Sequence, residues 1–182
     1  NINTEFNVYE EGGNEVYKIA GKTNSYDTSK SLAMTDASGK VLAYIDQSTM
    51  QGQAERITGQ TTLHILSADK NTVLATISTK DNLKIPFVQK KLTLVMEDKT
   101  YDVSGGRMSH DFKVEKDGKS CAIITKEWFY NTLIHAGHMM DTYNIKIQDK
   151  NDDVVMVCTA VILELLYHTD KKSGGGANKY GR

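Results

Sequence analysis

The chain has 182 residues, of which 39% are hydrophobic and 25% are charged, and this is the composition of an ordinary globular domain that buries its own core. The formal net charge of −1 supplies no global field that favours nucleic acid or an anionic membrane, and we expect no nucleic-acid partner. The two cysteines are too few for a disulfide framework, and we expect a reducing, cytoplasmic location.

Short β-favouring runs separated by turn residues make up most of the chain. In order they are FNVYE (6–10), EVYKIAG (15–21), KSLAMTD (30–36), VLAYIDQ (41–47), TTLHILS (61–67), TVLATIS (72–78), KIPFVQ (84–89), KKLTLVMED (90–98), KTYDVSG (99–105), two runs within 110–126, and DTYNIKIQD (141–149). Turn signals that recur every 8–12 residues or so are typical of a sandwich or a barrel.

A loose internal repeat relates two parts of these strands. Tyr17 aligns with Tyr101, and Gly21 aligns with Gly105. Farther along, the Gly-Lys pair at 39–40 aligns with the pair at 118–119, each in a turn between two strands. The pattern indicates a sheet built by duplication of a four-strand meander.

An apolar run, VVMVCTAVILELLY (154–167), stands apart from these strands because Glu164 is its single charged residue. As a helix it would be about 21 Å long, which is short against the 30 Å or so of a bilayer core. A transmembrane span is therefore disfavoured. A strand pair is favoured by the β-branched residues but disfavoured by the length of the run and by its lack of a turn residue.

The start of the run favours a helix over about 152–168. Asn151 is the predicted N-cap, and the carboxylates of Asp152 and Asp153 would face the positive end of the helix dipole. A helix that is apolar on every face must be enclosed by the rest of its protein, and here the enclosure has to be made of strands. The sequence thus predicts one mainly β domain over 1–170, a closed antiparallel β-barrel around one buried C-terminal helix.

The C-terminal half resembles a known family. The segments GKSCAIITKEWF (118–129) and DTYNIKIQDKNDDVVMVCTAVILELLYH (141–168) resemble the LURP-one-related proteins, which share the tubby C-terminal-like fold with phospholipid scramblases. The segment DASGKVLAYI (36–45) is similar to an early strand–turn–strand of that family, and YNTLIHAGHMM (130–140) departs from it by its length. The resemblance implies about a dozen antiparallel strands closed around a central helix.

Catalytic and metal-binding patterns are weak in this sequence. His135 and His138 have a spacing that places two imidazoles on one helix face, and Asp141 and His110 are further candidates, but no ligand set typical of zinc is completed. No nucleophile elbow and no phosphate-binding glycine loop is present. We therefore expect no enzyme activity, no metal site and no cofactor.

Three groups of residues are candidates for binding instead. Lys84, Lys90 and Lys91 flank an apolar segment and are candidates for contact with lipid headgroups, although lysines at a strand edge also prevent aggregation. The resemblance adds that tubby proteins bind phosphoinositides. The candidates for contact with a protein partner are Trp128, Phe129, Tyr130, Lys179, Tyr180 and Arg182.

The last three of these lie in the Gly-rich basic tail, 171–182, which is predicted to be disordered by itself. The functional hypothesis is a non-enzymatic binding or scaffold module of the tubby-like type that engages a protein partner or a lipid headgroup. The alternative is a structural subunit of a larger assembly or filament, in which the termini contact neighbouring subunits.

Overall fold

The computed structural model describes residues 2–10, 13–23, 31–46, 62–79, 90–105, 111–128 and 141–168. Eleven strands and one α-helix lie in these ranges. The strands are β1 (Ile2–Tyr9), β2 (Glu15–Thr23), β3 (Ser31–Asp36), β4 (Val41–Asp46), β5 (Thr62–Ser67), β6 (Val73–Thr79), β7 (Lys90–Met96), β8 (Lys99–Gly105), β9 (Phe112–Lys116), β10 (Lys119–Trp128) and β11 (Asp141–Ile147). The helix is α1 (Asp153–His168), preceded by a 3-10 turn (Lys150–Asp152).

All eleven strands form one antiparallel sheet in which each strand pairs with its neighbours in the sequence. The prediction of a mainly β protein with one C-terminal helix is confirmed. Within the described ranges no ladder joins β1 to β11, so this sheet is open between its first and last strands. A closed barrel is therefore not confirmed.

Tight turns lie where the sequence predicts them. The β3–β4 turn contains Gly39 at φ 85°, and the β9–β10 turn contains Asp117 and Gly118 at φ 51° and 75°. Two successive residues with positive φ make a type I′ turn, whose twist matches that of a β-hairpin. The Asp-Gly pair thus sets the register of β9 against β10.

Helix α1 is buried on every side, as the sequence predicts. The nine consecutive residues 155–163 are each at most 7% exposed, and they span two and a half helical turns. The helix lies closest to β4, β6 and β11, and the Cys158 thiol contacts the Met34 sulfur of β3 at 3.5 Å. Because strands from both halves of the chain reach one helix, the sheet must curl around it.

The start of the helix differs from the prediction. Asn151 is not its N-cap, because it lies within the 3-10 turn that precedes the helix. The carboxylate of Asp149 caps this turn and accepts a hydrogen bond of 3.0 Å from the Asn151 backbone N–H. Asp149 is the last residue before the turn with an extended backbone, which is the geometry that an N-cap requires.

The two copies of the repeat have the same packing at equivalent glycines. A Cβ on Gly21 would lie 2.7 Å from Leu32 Cδ2 and 3.0 Å from the Ser31 carbonyl oxygen, and a Cβ on Gly105 would lie 2.7 Å from the Phe112 ring. Each glycine thus admits a large side chain of the next strand into the core. The repeat in the sequence is a structural repeat of β2–β3 in β8–β9.

We expect Gly21→Ala to destabilise the fold by about 1–3 kcal/mol, because the added methyl group overlaps Leu32 Cδ2 in the fully buried core and lies in tight contact with the Ser31 carbonyl oxygen. Urea denaturation monitored by circular dichroism measures this loss. The matched control is Ala20→Ser, which adds one atom at the neighbouring position, where the side chain is only partly buried. Equal stability of Gly21→Ala and the wild type would contradict this packing.

Candidate functional site

The sheet has two ends of different character. We call one the turn end, because short hairpins join β3 to β4, β5 to β6, β7 to β8 and β9 to β10 there. We call the other the connection end. At that end the even-numbered strands stop and the next strands start, and the longer segments 24–30, 47–61, 80–89, 106–110 and 129–140 stand between them in the sequence. Binding residues concentrate on such longer connections, so the connection end is the candidate functional surface.

The lysines predicted to meet lipid headgroups belong to the connection end. Lys90 and Lys91 begin β7, where they pair with Gly105 and Ser104 of β8, and Lys91 is exposed. Lys84 lies outside the described residues, six positions before β7 begins. The structure thus places two of the three predicted residues at one end of the sheet.

The residues predicted to contact a protein partner are mostly outside the described ranges. Trp128 is the last residue of β10 and pairs with Asp141 at the connection end. Phe129, Tyr130, Lys179, Tyr180 and Arg182 lie outside the described residues, and so do His110, His135 and His138 of the histidine candidates. Among the residues that the structure describes, no group of three His, Cys, Asp or Glu side chains is arranged to hold a metal ion.

The turn end carries an acidic group at the start of α1, which we call the helix-start cluster (Tyr17, Tyr101, Asp149, Asp152 and Asp153). The hydroxyl of Tyr17 in β2 donates a hydrogen bond of 2.5 Å to Asp153 Oδ2. The Tyr101 side chain in β8 is 3% exposed and lies within electrostatic range of Asp152. The two tyrosines occupy equivalent positions of the repeat, so both copies of the meander approach the same end of the helix.

Burial and neighbouring carboxylates shift the pKa values in this cluster. Burial, followed by the hydrogen bond to Asp153, raises the pKa of Tyr17 to about 12. Burial and then the negative charge of Asp149 raise the pKa of Asp152, against the opposing effect of Lys99. Both tyrosines therefore remain protonated at neutral pH and can donate hydrogen bonds, whereas the charged form of Asp152 is disfavoured.

Sequence reasoning had identified Asp152 and Asp153 only as helix-start residues and had missed their tyrosine partners. The signal was present, because Tyr17 and Tyr101 were already aligned by the repeat. The sequence does not show that Tyr17 and Tyr101 both point inward at the turn end, where α1 begins.

The interior offers little chemistry. Burial raises the pKa of the Cys158 thiol to about 12, so it remains a thiol at neutral pH and is a poor nucleophile. Cys121 is partly buried at the bulge of β10 and packs against the core. The described interior is filled by α1, and its polar side chains are those of Thr79 and Thr159.

The family model for LURP-one-related proteins matches residues 1–164 of this chain. The chain belongs to the LURP-one-related family. The chain is also similar to a curated relative, the uncharacterized protein YxjI of Bacillus subtilis (strain 168), and the two are 23% identical over 167 residues. The alignment covers 91% of this chain and 87% of YxjI. No solved structure gives a significant match. The family resemblance of the C-terminal strands and helix is thereby confirmed, and the tubby-like relationship is consistent with it.

We expect Asp152→Asn to stabilise the fold at neutral pH. A raised pKa in the folded state means that Asp152 favours folding most at low pH and that this contribution is lost as pH rises through its folded-state pKa. The advantage of the variant over the wild type should therefore grow from pH 3 to pH 7, as followed by thermal unfolding.

Tyr17→Phe changes the same helix-start cluster, and its stability at neutral pH should be compared with that of Asp152→Asn. It removes the donor to Asp153 from the same cluster and should destabilise the fold by about 1–3 kcal/mol at neutral pH, since it leaves a partly buried carboxylate short of a partner. A wild type and an Asp152→Asn variant that keep the same difference in stability at pH 3 and pH 7 would contradict the assignment.

Proposed function

We propose that this protein is a non-enzymatic binding module whose connection end contacts an anionic lipid surface. The observation that carries the proposal is that Lys90 and Lys91 lie at the connection end of the sheet. The longer connections contain five Lys or Arg and three Asp or Glu, and residues 169–182 contain four and one, although the whole chain contains 22 and 23. The longer segments that follow the even-numbered strands thus carry more positive than negative charge, which supports a basic surface at the connection end.

The remainder of the chain has the opposite balance. The helix-start cluster and the hairpin residues Asp36, Asp69 and Asp117 lie at the turn end. A molecule with charge separated in this way is oriented by a negatively charged surface, with the connection end towards it. This polarity supports a peripheral contact at a membrane. Among the described residues no helix is both long and apolar enough to span a bilayer.

The proposal includes the enclosure predicted from the sequence. A sheet that closes around α1 would form a rigid body that presents the connection end as one surface. Burial of the helix on all faces supports this closure. A filled interior also supports a role without catalysis, and we place the module in the cytoplasm, where anionic lipids face it.

Vesicle flotation tests the lipid contact. Vesicles of phosphatidylcholine with phosphatidylserine or a phosphoinositide should carry the wild-type protein upward in a density gradient, and vesicles of phosphatidylcholine alone should not. Replacing Lys84, Lys90 and Lys91 by Ala should weaken binding by roughly two orders of magnitude, since each lysine contributes about 1 kcal/mol near an anionic surface. Added salt should weaken it as well.

The matched control removes three lysines from the turn end, namely Lys40, Lys116 and Lys119. This control changes the net charge equally, so it should bind like the wild type if the connection end makes the contact. Equal losses in the two triple variants would show that only overall charge matters and would rule out the proposed surface.

A second candidate function is a subunit of a larger assembly. The observation that favours it is the sheet opening, because β1 and β11 are each paired on one side only within the described residues. In this case Trp128, Phe129, Tyr130 and the tail residues Lys179, Tyr180 and Arg182 would contact neighbouring subunits. Sedimentation velocity should then show oligomers that dissociate when 171–182 is deleted, and a monomer at all concentrations would contradict this role.

A further inference from the structure

The surroundings of the helix-start cluster carry a surplus of negative charge. The charged side chains that act on Tyr17, Tyr101 and Asp152 include five carboxylates and one lysine, namely Asp36, Glu97, Asp149, Asp152, Asp153 and Lys99. These side chains come from the end of β3, the β7–β8 turn and the start of α1, so folding brings them together. They outweigh the positive end of the helix dipole, which equals about half an elementary charge.

The two tyrosines of the cluster differ in how their hydroxyl groups are satisfied. Tyr17 donates to Asp153, whereas the Tyr101 hydroxyl has no hydrogen bond within the described residues. The Tyr101 side chain is 3% exposed, and Asp152 is the charged group that acts on it most strongly. A buried hydroxyl is normally paired, because removing it from water without a partner costs free energy. The Tyr101 hydroxyl therefore marks a place for a ligand group beside Asp152.

An ammonium or guanidinium group suits this place. It donates several hydrogen bonds and can bond to a tyrosine oxygen and a carboxylate at the same time. It also needs no fixed coordination geometry, and the acidic side chains within the described ranges are not arranged for a metal ion. Asp149 is exposed at the edge of the cluster, so a basic side chain can approach from solvent.

We propose that the helix-start cluster of one copy binds the C-terminal segment (residues 169–182) of a second copy, with a basic side chain between Tyr101 and Asp152. The segment has the complementary charge, since it contains Lys171, Lys172, Lys179 and Arg182 against the single acid Asp170. The inference rests on the second candidate function, a subunit of a larger assembly, and it names the surface that receives the segment. It does not depend on the lipid contact.

The segment comes from a second copy because it cannot bind the cluster of its own chain. Helix α1 starts at the cluster and its 16 residues extend about 24 Å away from it, so the segment begins at that distance. The direct route is filled, because strands bury α1 on every side. A route outside the sheet also crosses the strand layer twice, at about 10 Å each time, and needs roughly 45 Å.

The length of the segment does not allow this outer route. The residues 169–182 span at most about 46–50 Å when fully extended, so the route would use the whole segment and leave none of it to bind. A neighbouring molecule has no such restriction. Because the contact joins two different surfaces, each copy keeps one free cluster and one free segment, and copies add head to tail.

Two complementary variants of the full chain test this contact by sedimentation velocity. The segment variant replaces Lys171, Lys172, Lys179 and Arg182 by Ser, and the cluster variant combines Tyr101→Phe with Asp152→Asn. We expect the wild type to form species larger than a dimer as concentration rises, and each variant alone to be monomeric. An equimolar mixture should give heterodimers and nothing larger, since the segment of one variant meets the cluster of the other.

A peptide of sequence TDKKSGGGANKYGR, which is residues 169–182, measures the same contact directly. Fluorescence anisotropy should show that it binds the segment variant, and that adding Tyr101→Phe and Asp152→Asn to this protein weakens binding about tenfold or more, the effect of losing a charge-assisted hydrogen bond. The matched control is Asp117→Asn, which removes one negative charge from another turn at the same end and keeps the positive φ there. It should bind like the parent protein. Thermal unfolding by circular dichroism checks that each variant is folded.

The outcomes separate this inference from the two candidate functions. A wild type that is monomeric at every concentration would overturn both the inference and the assembly. Oligomers that persist in the cluster variant, or a mixture without heterodimers, would overturn the inference alone, and so would equal peptide binding by the cluster changes and Asp117→Asn. The lipid contact is decided separately, by flotation of the Lys84, Lys90 and Lys91 variant.

Discussion

Enclosure of an apolar helix is the constraint on which the rest of this structure depends. Residues 155–163 are buried on every face of α1, so no side of this helix can be left to water. A flat sheet covers only one side of a helix. The sheet must therefore curl, and each of its strands must present an apolar side chain inward at every second position, as in β3, β5 and β8.

The same constraint bears on the proposed function. An interior that is filled by a helix leaves the described core almost without polar side chains, which supports the proposed contact at the surface. The hairpins at the turn end are short, and α1 is fixed there by Tyr17. Lys90 and Lys91 begin β7 at the opposite end of the sheet. One end of the molecule thus fixes the helix, and the proposed lipid contact lies at the other.

The repeat connects the sequence to this division. Gly21 and Gly105 admit Leu32 and Phe112 into the core, and the tyrosine four residues before each glycine reaches the start of the helix. The duplicated meander therefore supports α1 from two places in the sheet. The described sheet has eleven antiparallel strands, an odd number, so its first and last strands run in the same direction.

Hydrophobic periodicity, turn residues and one uninterrupted apolar run determined the class of this protein: β-strands, their order along the chain, their tight turns and a buried helix near the C-terminus. These are local properties, because alternation of side chains and positive φ at Gly39 or Gly118 depend on a few neighbouring residues. Only the tertiary structure decided that Asp149 rather than Asn151 caps the turn before the helix, that Tyr17 bonds to Asp153, and that β1 and β11 are left without a ladder between them. The Tyr17–Asp153 bond and the unpaired edges depend on residues far apart in the sequence. The cap is a choice between the Asp149 carboxylate and the Asn151 amide, and packing of the curled sheet around α1 makes that choice.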